Sequence, residues 1–192
     1  MRQTLRTFRK DKYILETFYD EYCENPREWS DRSTKMILFH WRYDLGDKHD
    51  YNYGDYSSWD EMREDIIAKE QSGMIRPVYM YEHGLVSLST RTFNDRFDSA
   101  QVGYISVSTE TFQQLGIDQC LDLIEKDLSI YAKYINGEVF MCTISEEQVC
   151  NLGCTHKTLV DTIGGYYCEE ECFAEGVSQI DYYIKEDWGQ TV

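Results

Sequence analysis

The sequence lacks any long apolar run. Nothing approaches the 18 or more consecutive apolar residues of a membrane-spanning helix. The start of the chain lacks the apolar stretch of a secretory signal. Together these absences predict a soluble protein located in the cytoplasm of the cell that makes it. Excess positive charge is also missing. Lys and Arg total 19 against 35 Asp and Glu, a formal net charge of -16. Binding to a phosphate backbone depends on cations displacing counterions, so this balance argues against direct nucleic-acid binding. It favours a basic partner, or simply a well-solvated surface. There is no HExxH, no P-loop, no GxSxG and no glycine-rich dinucleotide fingerprint. Repeats and low-complexity segments are likewise absent.

What is present is aromatic. Hydrophobic residues make up 42% of the 192 and aromatics 15%, enough to bury a core and to exclude a disordered chain. Tyrosine stands at 16 against 8 Phe, and its half-apolar, half-polar side chain suits sheet faces and interfaces. Charge is uneven along the chain. Arg2, Arg6, Arg9, Lys10 and Lys12 crowd the first twelve residues, which read as a basic arm or edge strand.

Hydrophobic periodicity predicts strands at 13–19, 36–41, 76–81, 85–90, 102–108, 138–144 and 180–184. Residues 44–56 read as a long loop. Ser57 or Ser58 looks like an N-cap for an amphipathic helix over 58–71. A short helix at 109–115 ends at Gly116. A stronger one covers 118–135, where Leu121, Ile124, Leu128, Tyr131 and Ile135 recur at helical spacing. The expected fold is α+β, with a largely antiparallel sheet, two or three packed helices and a cysteine-rich C-terminal segment. The expected division is a basic arm at 1–12, a core at 13–144 and the cysteine-rich segment at 145–192, packed on the core.

Seven cysteines are an odd number, which argues against a complete disulfide framework. Cys150 and Cys154, then Cys168 and Cys172, form two x3 pairs thirteen residues apart. Zinc takes four such ligands, commonly as two close pairs, and four thiolates would make the site structural rather than catalytic. His156 or Cys142 is an alternative fourth ligand. The competing reading is that these are small buried apolar residues. His40, Asp47, His83 and Asp98, with Asp44 and His49 near them in sequence, supply the residue types of a metal-dependent hydrolase. Their spacing is not diagnostic, and the favoured reading is turn chemistry for the aspartates and hydrogen-bonded histidines at a strand end and a hairpin turn. Candidate acidic docking stretches are Asp60, Glu61, Glu64 and Asp65 on the first helix, and Glu169, Glu170 and Glu171 beside the cysteines.

Three stretches carry a resemblance. Asn25-Pro26-Arg27-Glu28-Trp29, His40-Trp41-Arg42-Tyr43-Asp44-Leu45-Gly46-Asp47 and Phe97-Asp98-Ser99-Ala100-Gln101-Val102-Gly103-Tyr104-Ile105-Ser106-Val107-Ser108 resemble the patterns N-P-R-E-W, H-x-R-Y-x-L-G-D and W-D-S-G-Q-V-G-x-I-x-V-S. These mark a family of small acidic proteins of phages and mobile elements. The match covers residues 13–144, with Phe97 and Ala100 in place of the usual Trp and Gly. Some such proteins are similar to zinc-containing inhibitors of type II CRISPR effector nucleases. The resemblance implies an anti-CRISPR protein that binds the effector's recognition lobe in the host cytoplasm and blocks target-DNA loading. The lack of an activated nucleophile or an open metal signature separately predicts that the protein is not an enzyme. A DNA-mimic antirestriction protein is the nearest alternative.

Overall fold

The computed structural model describes residues 3–94 and 98–189. Arg2, of the basic start, and Phe97, of the third motif, lie outside them. The chain is α+β, with three helices and two four-stranded antiparallel sheets rather than one sheet. It separates into two compact units: residues 1–24 with 137–192, and residues 25–136. The division expected at 144 falls inside a strand.

The first unit contains β1 (Arg6–Lys10), β2 (Tyr13–Tyr19), β7 (Phe140–Val149), β8 (Thr155–Tyr166) and α3 (Glu169–Gly189), with strand order β1-β2-β7-β8. The basic start is therefore an edge strand. Its cations meet acids of the C-terminal segment: Arg9 with Glu147 at 3.0 Å, Lys10 with Asp181 at 2.7 Å, and Lys12 with Glu146 and Asp187. The strand expected at 180–184 is instead part of α3. Phe173, Val177, Ile180 and Ile184 recur every three or four residues and pack with Leu15, Cys142 and Ile144. Gly176 lets the helix come this close, because a Cβ there would meet Leu15 Cδ1 at 2.4 Å. β8 was not expected at all. Most of its residues are exposed, and a strand that buries little shows no apolar alternation.

The second unit contains β3 (Thr34–Leu38), α1 (Trp59–Glu70), β4 (Ser72–His83), β5 (Leu85–Ser89), β6 (Ser99–Ser108) and α2 (Thr109–Ile135), with strand order β3-β6-β4-β5. Two apolar clusters fill it. One joins Met36, Val78, Ile105 and Val107 to Cys120, Ile124 and Leu128 of α2. The other joins Ile37 and Ile75 to Met62 and Ile66 of α1. Gly116 breaks α2 at φ +76°, so the two helices read from the sequence are present on either side of it. Gly103 faces β3 so closely that a Cβ would meet the Ile37 carbonyl oxygen at 2.0 Å. No helix among the described residues is long and apolar enough to cross a membrane.

Candidate functional site

The first two motif stretches meet through their charges. Arg27, whose side chain is 3% exposed, donates from Nε and Nη2 to the two oxygens of Asp47 at 3.0 and 2.9 Å. Its remaining N–H groups reach the Thr34 carbonyl and Asp127. Asp47 also accepts from Arg32 Nη1 at 2.6 Å and from the Met36 N–H at 2.6 Å. Burial alone would raise the Asp47 pKa, but the bonds from Arg27, Met36 and Arg32 outweigh it and hold the carboxyl below its usual range. Asp47 thus accepts four hydrogen bonds and stands ionised among arginines. That suits a structural clamp rather than a general base. Gly46 beside it, at φ +78°, carries its N–H to the Tyr131 hydroxyl at 2.7 Å.

The clamp fixes one end of the loop from residue 39 to residue 58. The Asp47 N–H donates to the Met36 carbonyl, and the His49 ring bonds the Leu38 carbonyl at 3.1 Å. Further along, the Asn52 side chain accepts the Gly54 N–H and closes a single 3-10 turn over Tyr53–Asp55. At the other end Ser58 caps α1, its hydroxyl accepting the Glu61 N–H at 3.2 Å. The Tyr104 hydroxyl donates to the Trp59 carbonyl at 2.7 Å and pins the start of that helix.

This loop, held at both ends, walls a cleft of about 650 Å³. Phe39, Tyr53 and Trp59 pack on one side with their rings tilted at 58° to one another, the Tyr53 and Trp59 centroids 5.0 Å apart. On the other side His40 stacks on Tyr43, centroids 5.0 Å apart. His40 Nδ1 accepts the N–H groups of Arg42 and Tyr43, so its neutral ring carries the proton on Nε2. Trp41 is 83% exposed, and Tyr43 and Tyr53 are also exposed. The Arg42 guanidinium lies over the Trp41 and Tyr43 rings and bonds Glu82 at 2.6 Å. Asp44, also at the cleft, is exposed and has no partner among the described residues.

The first acidic stretch begins beside the cleft, since Trp59 lines it and Asp60 follows. Two of its four acids have local tasks. Glu61 accepts the Ser57 N–H and hydroxyl, and Asp65 holds Lys69 and the Tyr56 hydroxyl. Asp60 and Glu64, one helical turn apart, are exposed and form no hydrogen bond or ion pair among the described residues. The second stretch opens α3, where negative charge favours the helix dipole. Glu169 accepts from Thr17 and Glu170 from the Cys168 thiol, leaving Glu171 to solvent.

The cysteines meet as two separate pairs, not as a quartet. Cys142 and Cys172 are both fully buried in one apolar cluster. Cys150 and Cys154 flank the turn between β7 and β8. Cys150 lies eight residues beyond Cys142 along the strand, about 26 Å at ~3.3 Å per residue. Zinc ligands share one ion at ~2.3 Å each, so Cys172 and Cys150 cannot share one as placed. His156 lies on β8 beside the exposed pair. Among the described residues no three His, Cys, Asp or Glu side chains are grouped to hold a metal. As arranged, these residues do not fit a four-thiolate zinc site.

Of the four residues suggested for a hydrolase, Asp47 is locked by arginines and His40 holds a turn. His83 and Asp98 pair at 3.1 Å with the imidazole 74% exposed. The aromatic cleft was not foreseen. Its signal lay in the density of Trp, Tyr and His between residues 39 and 59. No family model, curated protein or solved structure matches the chain.

Proposed function

We propose that the protein is a non-enzymatic inhibitor that docks the aromatic cleft of residues 25–136, with its adjoining acidic helix face, on a basic protein surface. The observation that carries this reading is Trp41. Fully burying a large apolar side chain is worth ~1.5–3 kcal/mol, and this one is left in water beside two exposed tyrosines and an arginine. Trp, Tyr and Arg are the residues that anchor protein interfaces when water is excluded around them. Asp44, Asp60 and Glu64 add carboxylates that have no partners among the described residues. A partner lined with Lys and Arg would supply them.

The partner suggested by the motif resemblance is a type II CRISPR effector nuclease, at the surface that receives target DNA. Carboxylates there would occupy cation sites that otherwise hold phosphates. Each exposed pair contributes only ~0–1 kcal/mol, so the aromatic anchor must supply the rest. Charge would govern the association rate more than the lifetime of the complex. A purified effector should bind the protein and lose target-DNA loading. Raising salt should slow association steeply and change dissociation less. Failure to bind any type II effector, together with inhibition of a restriction enzyme, would instead support the antirestriction reading.

A further inference from the structure

We propose that Cys150 and Cys154 form a reactive dithiol that exchanges with low-molecular-weight disulfides and closes to an intramolecular disulfide. The β7–β8 turn places them for it. The Gly153 N–H donates to the Cys150 carbonyl at 2.9 Å, and the Cys150 N–H donates to the Cys154 carbonyl at 2.8 Å. Gly153 adopts φ +80°, which only glycine takes without strain, so the loop is a three-residue turn closed by a left-handed residue. Cys150 and Cys154 therefore face each other across the base of the loop. Directly opposed, hydrogen-bonded antiparallel residues have Cα atoms ~5.5 Å apart. Disulfides span Cα separations of ~4.4–6.8 Å. The backbone N–H groups of Leu152 and Cys154 at the turn hold the Cys150 thiol below its usual range, which favours its thiolate.

The surroundings separate this pair from the other five thiols. Cys154 is exposed and Cys150 half-exposed. Their neighbours Val149 and Leu152 are 70% and 90% exposed, which leaves the turn open to solvent. Cys142 and Cys172 are sealed in the core. Cys120 is fully buried, Cys23 lies near Asp20, and Cys168 bonds the Glu170 carboxylate. Burial and the neighbouring Asp20 carboxylate push the Cys23 thiol up, which opposes its thiolate.

The chemistry balances with a disulfide as oxidant. The Cys150 thiol loses its proton to solvent, and its thiolate attacks one sulfur of the reagent disulfide. One thiolate leaves, and a mixed disulfide remains on Cys150. Cys154, after losing its own proton, attacks the Cys150 sulfur and expels the second thiolate. Two protein thiols are oxidised, and one reagent disulfide is reduced to two thiols.

The test uses the full chain, reduced and desalted, then exposed to oxidised glutathione and mapped by mass spectrometry after alkylation. The expected product joins Cys150 to Cys154 and weighs two hydrogens less, with Cys142 and Cys172 still reduced. Cys154→Ser should stop at a glutathione adduct on Cys150. Cys150→Ser should react at least about tenfold more slowly than the parent. Both substitutions lie in an exposed turn, and unchanged melting curves would verify their folds. Oxidation of Cys142–Cys172 first, equal modification of Cys23 and Cys168, or no ring closure would each overturn the proposal.

Discussion

Replacing Asp47 by Asn tests whether the motif residues are there to hold the fold. The amide keeps the shape but removes the charge that Arg27 and Arg32 share. Arg27 would stay buried with Asp127 as its remaining carboxylate. Removing one member of a buried ion pair costs ~3–5 kcal/mol, and the surviving Asp127 contact places this case near the lower figure. Against total stabilities of ~5–15 kcal/mol that is a large fraction. For a domain of about a hundred residues it corresponds to a fall in Tm of about 12 °C or more. Urea unfolding followed by tryptophan fluorescence would read it. The pH dependence gives a second check. The folded Asp47 pKa is depressed, so its stabilisation is complete above the unfolded value of ~3.9 and is lost as pH falls through the folded value. The gap between parent and Asp47→Asn should therefore be widest near neutrality and shrink towards pH 3. A loss below about 1 kcal/mol at neutral pH, the ordinary range for an exposed pair, would refute the argument. So would a gap that does not change with pH.

Three further outcomes follow from the same structure. Gly103→Ala should cost about 3 kcal/mol or more in unfolding free energy, because its Cβ would overlap the Ile37 carbonyl; a loss under ~1 kcal/mol would contradict that close approach. Protein purified without chelator should hold less than one equivalent of zinc by elemental analysis, and EDTA should leave its melting curve unchanged. A stoichiometric zinc lost on Cys168→Ser, Cys172→Ser substitution would show that the β7–β8 turn and α3 are arranged differently. Ser58→Ala should cost about 1 kcal/mol through loss of the α1 cap, read by thermal unfolding, and no effect would show that Glu61 alone closes that end.

The sequence carried the second unit well. Its helices are long or clearly capped, and their apolar residues repeat every three or four positions. The strands at 76–81, 85–90 and 102–108 lie in place because each buries at least part of one face. The strand expected at 36–41 runs instead over Thr34–Leu38, because Thr34 joins the buried clamp while the chain leaves the sheet after Leu38 and carries Trp41 out to solvent. The C-terminal region was harder to read. β8 buries too little to alternate, and the Tyr-rich, β-branched run at 180–184 imitates a strand although its longer period is helical. The zinc expectation followed sequence spacing, which does not show that Cys172 is sealed in the core while Cys154 is exposed at a turn. Nor does spacing show that Arg27 and Asp47, twenty residues apart, form a buried two-bond ion pair. Short motifs name residues; the protonation and partners of those residues belong to the fold.

The most direct measurement of the central proposal is surface-binding kinetics of the protein on an immobilised type II CRISPR effector, comparing the parent with Trp41→Ala, Tyr43→Ala and with Asp60→Lys, Glu64→Lys. All four positions are at least partly exposed, so the melting temperatures should stay close to that of the parent. The aromatic variant should dissociate at least about tenfold faster, since anchor residues cost ~2 kcal/mol or more when truncated. The charge-reversed variant should associate more slowly and lose salt sensitivity. Both should restore target-DNA loading. Folded variants that bind and inhibit like the parent would contradict the proposal and move the docking surface elsewhere on the molecule.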